Sequence, residues 1–175
     1  EVSPEHVMEI YLVREVLEGA ASRLAARHVT HLEAARLEKL LEGMQDAAAR
    51  DDTPAMEALN RRFHSLIYRA AQNRLIERIL GGLWDDLGRF GVTTFAFPGR
   101  KREALAEHRA ITDAIVGGRD DEAERLARAH LAAGREVRRF CLRYRENTLR
   151  VRQEKTSRPA SSSRSCWAMT IPLPS

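Results

Sequence analysis

The stretch TPAMEALNRRFHSLIYRA, residues 53–70, decides the fold. Thr53-Pro54 reads as an N-cap followed by proline at the first helical position, where the fixed φ and the missing N–H cost nothing. Behind it Leu59, Phe63, Leu66, Ile67 and Ala70 recur every three or four residues, the spacing of one buried helix face and not the alternation of a strand. Asn60 and His64 fall one residue beyond that stripe, at its inner edge. Being four apart, they share a face, and an amide oxygen and an imidazole so placed can reach a single ion.

The same grammar extends in both directions. Ser3-Pro4 opens helix one, whose Val7, Ile10, Tyr11, Leu17, Ala21 and Leu24 repeat at helical spacing up to about His28. Thr30-His31-Leu32-Glu33 has the form of a capping box, and Leu37, Leu40, Leu41 and Met44 carry helix two to about Arg50. Asn73 caps helix four, with Ile76, Ile79, Leu80, Leu83 and Leu87 as its stripe and Gly81-Gly82 as a possible break in the rod. Phe97-Pro98-Gly99 separates it from helix five, Arg100 to Val116, where Leu105, His108, Ile111 and Ile115 share a stripe. Gly117-Gly118 ends that helix, and Asp120 or Asp121 caps helix six, with Ala123, Leu126, Ala127, His130 and Val137 inward.

His108 precedes the glycine turn by about as many residues as His130 follows it. Helices joined by a short loop run antiparallel, so the two imidazoles are expected at the same height. A lone inward histidine is ordinarily a hydrogen-bonded core residue. Three of them from three helices, beside an amide at i, i+4, would leave several buried polar groups in need of partners, and one metal satisfies all of them. Asn60, His64, His108 and His130 are therefore the candidate ligands. Zinc or nickel is the expected ion, because imidazole is the common ligand of both and the set leaves a position open. His6, His28 and His31 sit at helix ends and do not join this group. Arg14 and Glu18, four apart on the apolar stripe of helix one, read either as a buried ion pair or as a guanidinium fork held by Glu18 for an incoming carboxylate.

Composition bounds the rest. The chain has 175 residues, 43% apolar, 31% charged and 6% aromatic, the profile of an amphipathic helical bundle of one domain. A net charge of +4 and a pI near 9.5 raise the question of nucleic acid. The excess is concentrated in Arg135, Arg138, Arg139, Arg143, Arg145, Arg150 and Arg152, read as a solvated helix face leading into a loose tail. Cys141 and Cys166 have no partner at metal-binding spacing and cannot form a disulfide framework, which fits a reducing cytoplasm. No apolar run approaches the ~20 residues that span a bilayer. Residues 151–175, polar and of low complexity until Cys166-Trp167, are expected to be a disordered tail to a domain at 1–150.

Taken together, Tyr11-Leu-Val-Arg14-Glu-Val-Leu-Glu18-Gly-Ala-Ala21, Asn60-Arg-Arg-Phe-His64, Ala70-Ala-Gln-Asn-Arg-Leu75, Glu107-His108-Arg-Ala-Ile111 and Arg128-Ala-His130-Leu131 resemble the C-terminal effector-binding (FCD-type) domain of the FadR branch of the GntR superfamily of bacterial transcription regulators. The resemblance spans about residues 5–145. It implies an all-α antiparallel bundle of about six helices that dimerises and binds a small carboxylate, often through a divalent metal. Asn60 stands where Asp is the commoner first ligand, which implies weaker metal affinity, and Arg14 matches an arginine near the family pocket. Members carry an N-terminal winged helix-turn-helix that contacts operator DNA, and this chain begins inside the effector domain.

Two functions compete, beside a purely structural dimerisation bundle that would leave the inward histidines unexplained. The first is a ligand-sensing and dimerisation domain, a homodimer and not an enzyme, in which metal and Arg14 hold an organic acid and control DNA binding through a domain missing from this chain. The alternative is a metal-dependent hydrolase with a three-histidine site. A hydrolase needs a base beside the metal-bound water, and the nearest acids in sequence are Glu107, rotated about 100° from His108, and Glu57, one turn from Asn60.

Overall fold

A computed structural model describes the backbone of residues 3–89 and 93–156, and the side chains through Arg143. Six α-helices and no strand occur among the described residues: α1 (Pro4–His28), α2 (His31–Ala49), α3 (Thr53–Ala70), α4 (Arg74–Gly88), α5 (Arg100–Val116) and α6 (Asp120–Thr156), with one 3₁₀ turn at Thr94–Ala96. The all-α expectation holds. None of these helices is long and apolar enough to cross a membrane.

Local chemistry sets the helix boundaries. Ser3 Oγ accepts the His6 N–H at 3.2 Å, and Pro4 occupies the first turn of α1. The capping box at Thr30 is complete: its hydroxyl accepts the Glu33 N–H at 3.3 Å, while the Glu33 carboxylate accepts the Thr30 N–H at 2.9 Å. At α3 the cap moves by one residue from the expected Thr53, because Asp52 Oδ1 accepts the Ala55 N–H at 3.0 Å and Thr53 is already helical. Asn73 caps α4 through two bonds of 3.1 Å. Gly81 and Gly82 do not interrupt that helix; a side chain at either would meet open space, so the pair is a solvent-side feature and no breaker. Gly118 at φ +65 reverses the chain between α5 and α6, a conformation a side chain would strain.

Within residues 1–143, a compact unit, α3 packs on α1, α2 and α4, and α5 packs on α1 and α2. Phe63, Leu37, Met44, Met56, Leu80, Ile111 and Ile115 are fully buried in the main core. A second cluster gathers Val7, Ile10, Tyr11, Leu87, Leu131 and Leu142 from α1, α4 and α6. Ile79, placed inward by periodicity, is 39% exposed, since α4 buries only its Leu80 and Leu87 edge fully. Helix α6 continues to Thr156, past the start of the expected tail at residue 151; residues 157–175, including Cys166, lie outside the described residues.

Candidate metal centre and ligand cavity

Three helices deliver the histidines to one point. His64 comes from α3, His108 from α5 and His130 from α6, and one nitrogen of each lies within 4.8 Å of the others. The His108 and His130 ring centroids are 4.6 Å apart, so the antiparallel α5–α6 turn does place them at one height. His64 stands 5.3 Å from each of the other two rings. Phe63 packs at 4.6 Å against His108 and closes the floor. Asn60, one turn before His64, is buried with its Oδ1 unpartnered.

The outward nitrogens of two rings are occupied by carboxylates. His64 Nδ1 lies 2.9 Å from Glu18 Oε2, and His130 Nδ1 lies 2.5 Å from Glu107 Oε2. Each carboxylate is in turn held by an arginine. Arg14 Nε donates to Glu18 Oε1 at 2.7 Å, and Arg100 donates two parallel 2.7 Å bonds to Glu107. An imidazole whose Nδ1 donates to a carboxylate presents the Nε2 lone pair on its other side, the arrangement found behind metal-bound histidines. His108 differs, because both of its nitrogens are buried without a partner, as is Thr112 Oγ1 one turn further along α5. These orphaned atoms fit a bound cation: three imidazole nitrogens gather at one point, and ~2.0–2.1 Å from each nitrogen is the distance a zinc ion asks for.

The electrostatics favour neutral His108 and His130 rings and ionised carboxylates. Burial, then the neighbouring His130, His64 and Arg100, hold His108 well below the ordinary imidazole value. Burial also lowers His130, although Glu107 pulls the other way. Glu18 would be raised by burial, but Arg14 and His64 outweigh it and keep it well below the carboxylate range. Glu107, against the same opposition from burial, is drawn down to about 2 by His130 and Arg100.

These facts count against Glu107 as the base of the hydrolase alternative. A general base must accept a proton near neutrality. Glu107 is held ionised with its oxygens on Arg100 and on the far side of His130, and Glu57 is an exposed residue on the cavity lining.

A cavity of about 490 Å³ is lined by Asn60, His64 and His130, and the His108 ring packs against the last two. Arg14, only 3% exposed, lines it. Its guanidinium stacks 4.2 Å from the Trp84 ring, and Trp84 Nε1 donates to Tyr68 at 2.9 Å. Arg14 forms the buried ion pair that the sequence offered, its Nε spent on Glu18, and its two terminal nitrogens have no hydrogen bond to a described residue. Arg138, expected on a solvated face, is instead buried and lines the cavity, 6.0 Å over the Tyr11 ring, because α6 turns that face toward α1. Arg135 likewise pairs with Glu15 of α1 at 2.9 Å. Sequence reasoning missed Arg100 and the orienting role of Glu107. Their separation of seven residues, two helical turns on one face, was the available signal.

The comparisons agree with this architecture. The family model described as FCD domain matches residues 9–133. The probable D-xylose utilization operon transcriptional repressor of Paenarthrobacter nicotinovorans is 30% identical over 136 residues, covering 76% of this chain and 58% of that protein. Among solved structures, E. coli McbR/YncC superposes with a TM-score of 0.70 at 22% identity, over 79% of this chain and 70% of the other. Streptococcus agalactiae GntR gives 0.65 at 22% identity, over 74% and 58%. This chain thus spans about 58% of the length of the curated relative. With most of its helical bundle inside the matched region and the same fold in both solved neighbours, the chain belongs to the FCD domain family, the C-terminal domain type of the GntR superfamily.

Proposed function

We propose that this domain is the ligand-sensing and dimerisation part of a cytoplasmic GntR-type transcription regulator, binding a small organic acid through a divalent metal, zinc or nickel, to control DNA binding. Asn60, His64, His108 and His130 hold the ion, and Arg14 receives the acid. The observation that carries this reading is the set of orphaned atoms, Asn60 Oδ1 and both His108 nitrogens, the first on a cavity that Arg14 also lines and the others on a ring packed against the lining histidines. An unpaired buried polar group is costly, and several at one point are better explained by a missing partner than by coincidence. A bound divalent ion supplies positive charge for a carboxylate oxygen. Arg14 offers its terminal nitrogens to the same carboxylate, with Trp84 and Glu18 fixing the plane of the fork.

Operator DNA is reached through a winged-helix domain outside this chain, and control requires that the acid bind two arrangements of the helices with different affinity. The likeness to a probable transcriptional repressor supports a repressor's role for the whole regulator. The test is elemental analysis after dialysis against zinc, then a thermal-shift screen of organic acids. About one metal per chain is expected, less in His64→Ala and His130→Ala, and Arg14→Ala should lose the acid-induced shift while keeping its metal. Metal-free wild-type protein would overturn the metal reading, and an undiminished shift in Arg14→Ala would leave Arg14 as no more than the partner of Glu18.

A further inference from the structure

Beside its polar groups the cavity has a set of apolar lining residues. Tyr11, Leu87, Phe95 and Leu131, at 5%, 6%, 7% and 3% exposure, form this wall. They come from α1, α4, the 3₁₀ turn and α6, and three of them belong to the second apolar cluster, so this wall is packed from behind and cannot fold away. From this wall we infer that the effector is a carboxylic acid with a bulky apolar body, of the arylalkanoic type, and not a short hydroxy acid or a sugar acid. The inference rests on the reading of Arg14 and the histidines as the anchor of the acid group, and adds what lies at the ligand's other end.

Three observations carry it. The cavity's 490 Å³ lies within the range, ~300–1,000 Å³, of sites that enclose a drug-sized organic molecule, far more than a three-carbon acid fills. Some polar lining groups that could read hydroxyls are already engaged: both terminal nitrogens of Arg100 with Glu107, and Arg61 with Asp85. A polyol chain laid along Leu87, Phe95 and Leu131 would lose its water without gaining partners, and sites discriminate strongly against buried groups left unpaired. The Arg138 guanidinium over Tyr11 adds a cationic plane beside the wall, which suits an aromatic ring.

Calorimetry on the zinc-loaded full chain with 3-phenylpropanoate, lactate and gluconate tests this. Burial of the aryl group predicts that 3-phenylpropanoate binds roughly thirtyfold more tightly than lactate, with gluconate no tighter than lactate. Leu131→Asn should lower the 3-phenylpropanoate affinity about tenfold and narrow its lead; Phe95→Ser, in the same wall but on a different element, makes the same test where Leu131→Asn does not fold. Gluconate or lactate binding as tightly as 3-phenylpropanoate, or both wall variants retaining its full lead, overturns the inference while leaving acid sensing intact. If none of the three acids binds, or Arg14→Ala changes no affinity, the acid-sensing reading itself fails and this inference with it.

Discussion

Glu107→Gln isolates what a carboxylate behind a histidine does. The wild-type carboxylate stands 2.5 Å from His130 Nδ1 and is pinned by the two 2.7 Å bonds from Arg100, so it fixes both the tautomer and the plane of the ring. Glutamine keeps the shape but offers one acceptor oxygen where both Arg100 and His130 need one. Losing an orienting partner of this kind costs about 10- to 100-fold in metal affinity, or ~1.4–2.7 kcal/mol. The metal-free fold should suffer by about 1–3 kcal/mol, because Arg100 stays buried at 2% exposure with a neutral partner. Competition with a chromophoric chelator measures zinc affinity, and urea denaturation measures the fold. Glu103→Gln is the control: its carboxylate lies 3.7 Å from Arg100 and is 61% exposed, so neither readout should move. A folded Glu107→Gln variant with zinc affinity within twofold of wild type would refute the argument that this carboxylate orients His130.

Other expectations follow from the same site and core. His108 is held below the ordinary imidazole value in the folded state, so below about pH 6.5 the unfolded chain takes up protons first; urea midpoints of metal-free protein should fall between pH 7.5 and 5.5, and constant midpoints would contradict its burial as a neutral ring. Glu107, at about 2 when folded against 4.5 ordinarily, contributes stability that is full above the ordinary value and is lost as pH falls through 2; the stability gap between wild type and Glu107→Gln should therefore close over that window. Phe63→Ala should cost ~3–5 kcal/mol in urea, since the ring is fully buried and floors His108, and a loss under 1 kcal/mol would mean that the core collapses freely into the space. Asp52→Ala should cost about 1 kcal/mol through the lost α3 cap, where Thr53→Val should cost less. Light scattering at tens of micromolar should return a symmetric dimer; a monomer would count against the regulator reading more than against the fold.

Much of this architecture is legible in the sequence because boundary chemistry is local. Ser3-Pro4, the Thr30–Glu33 box, Asn73 and Gly117-Gly118 act within a turn of themselves, and each sets an observed boundary. The histidines were legible for a related reason: a polar residue on an apolar stripe points at the core whatever the core contains. What escaped is relational. Arg138 looks like one more cation in a basic run until α1 supplies Tyr11 opposite it. Glu107 looks misdirected from His108, and is, since its partner lies on the next helix. Ile79 continues a periodic pattern that the described elements leave partly uncovered.

Trp84 gives the site an optical handle. Its indole lies 4.2 Å from the Arg14 guanidinium and 5.6 Å from the His64 ring, with its N–H tied to Tyr68. Indole emission responds to nearby charge and to hydrogen bonding, so a carboxylate arriving on Arg14 and an ion arriving at His64 should each alter it in their own way. The sequence holds one other tryptophan, Trp167. In a Trp167→Phe background the emission belongs to Trp84 alone, and stopped-flow traces would then separate the arrival of metal from the arrival of acid in time, with no added label.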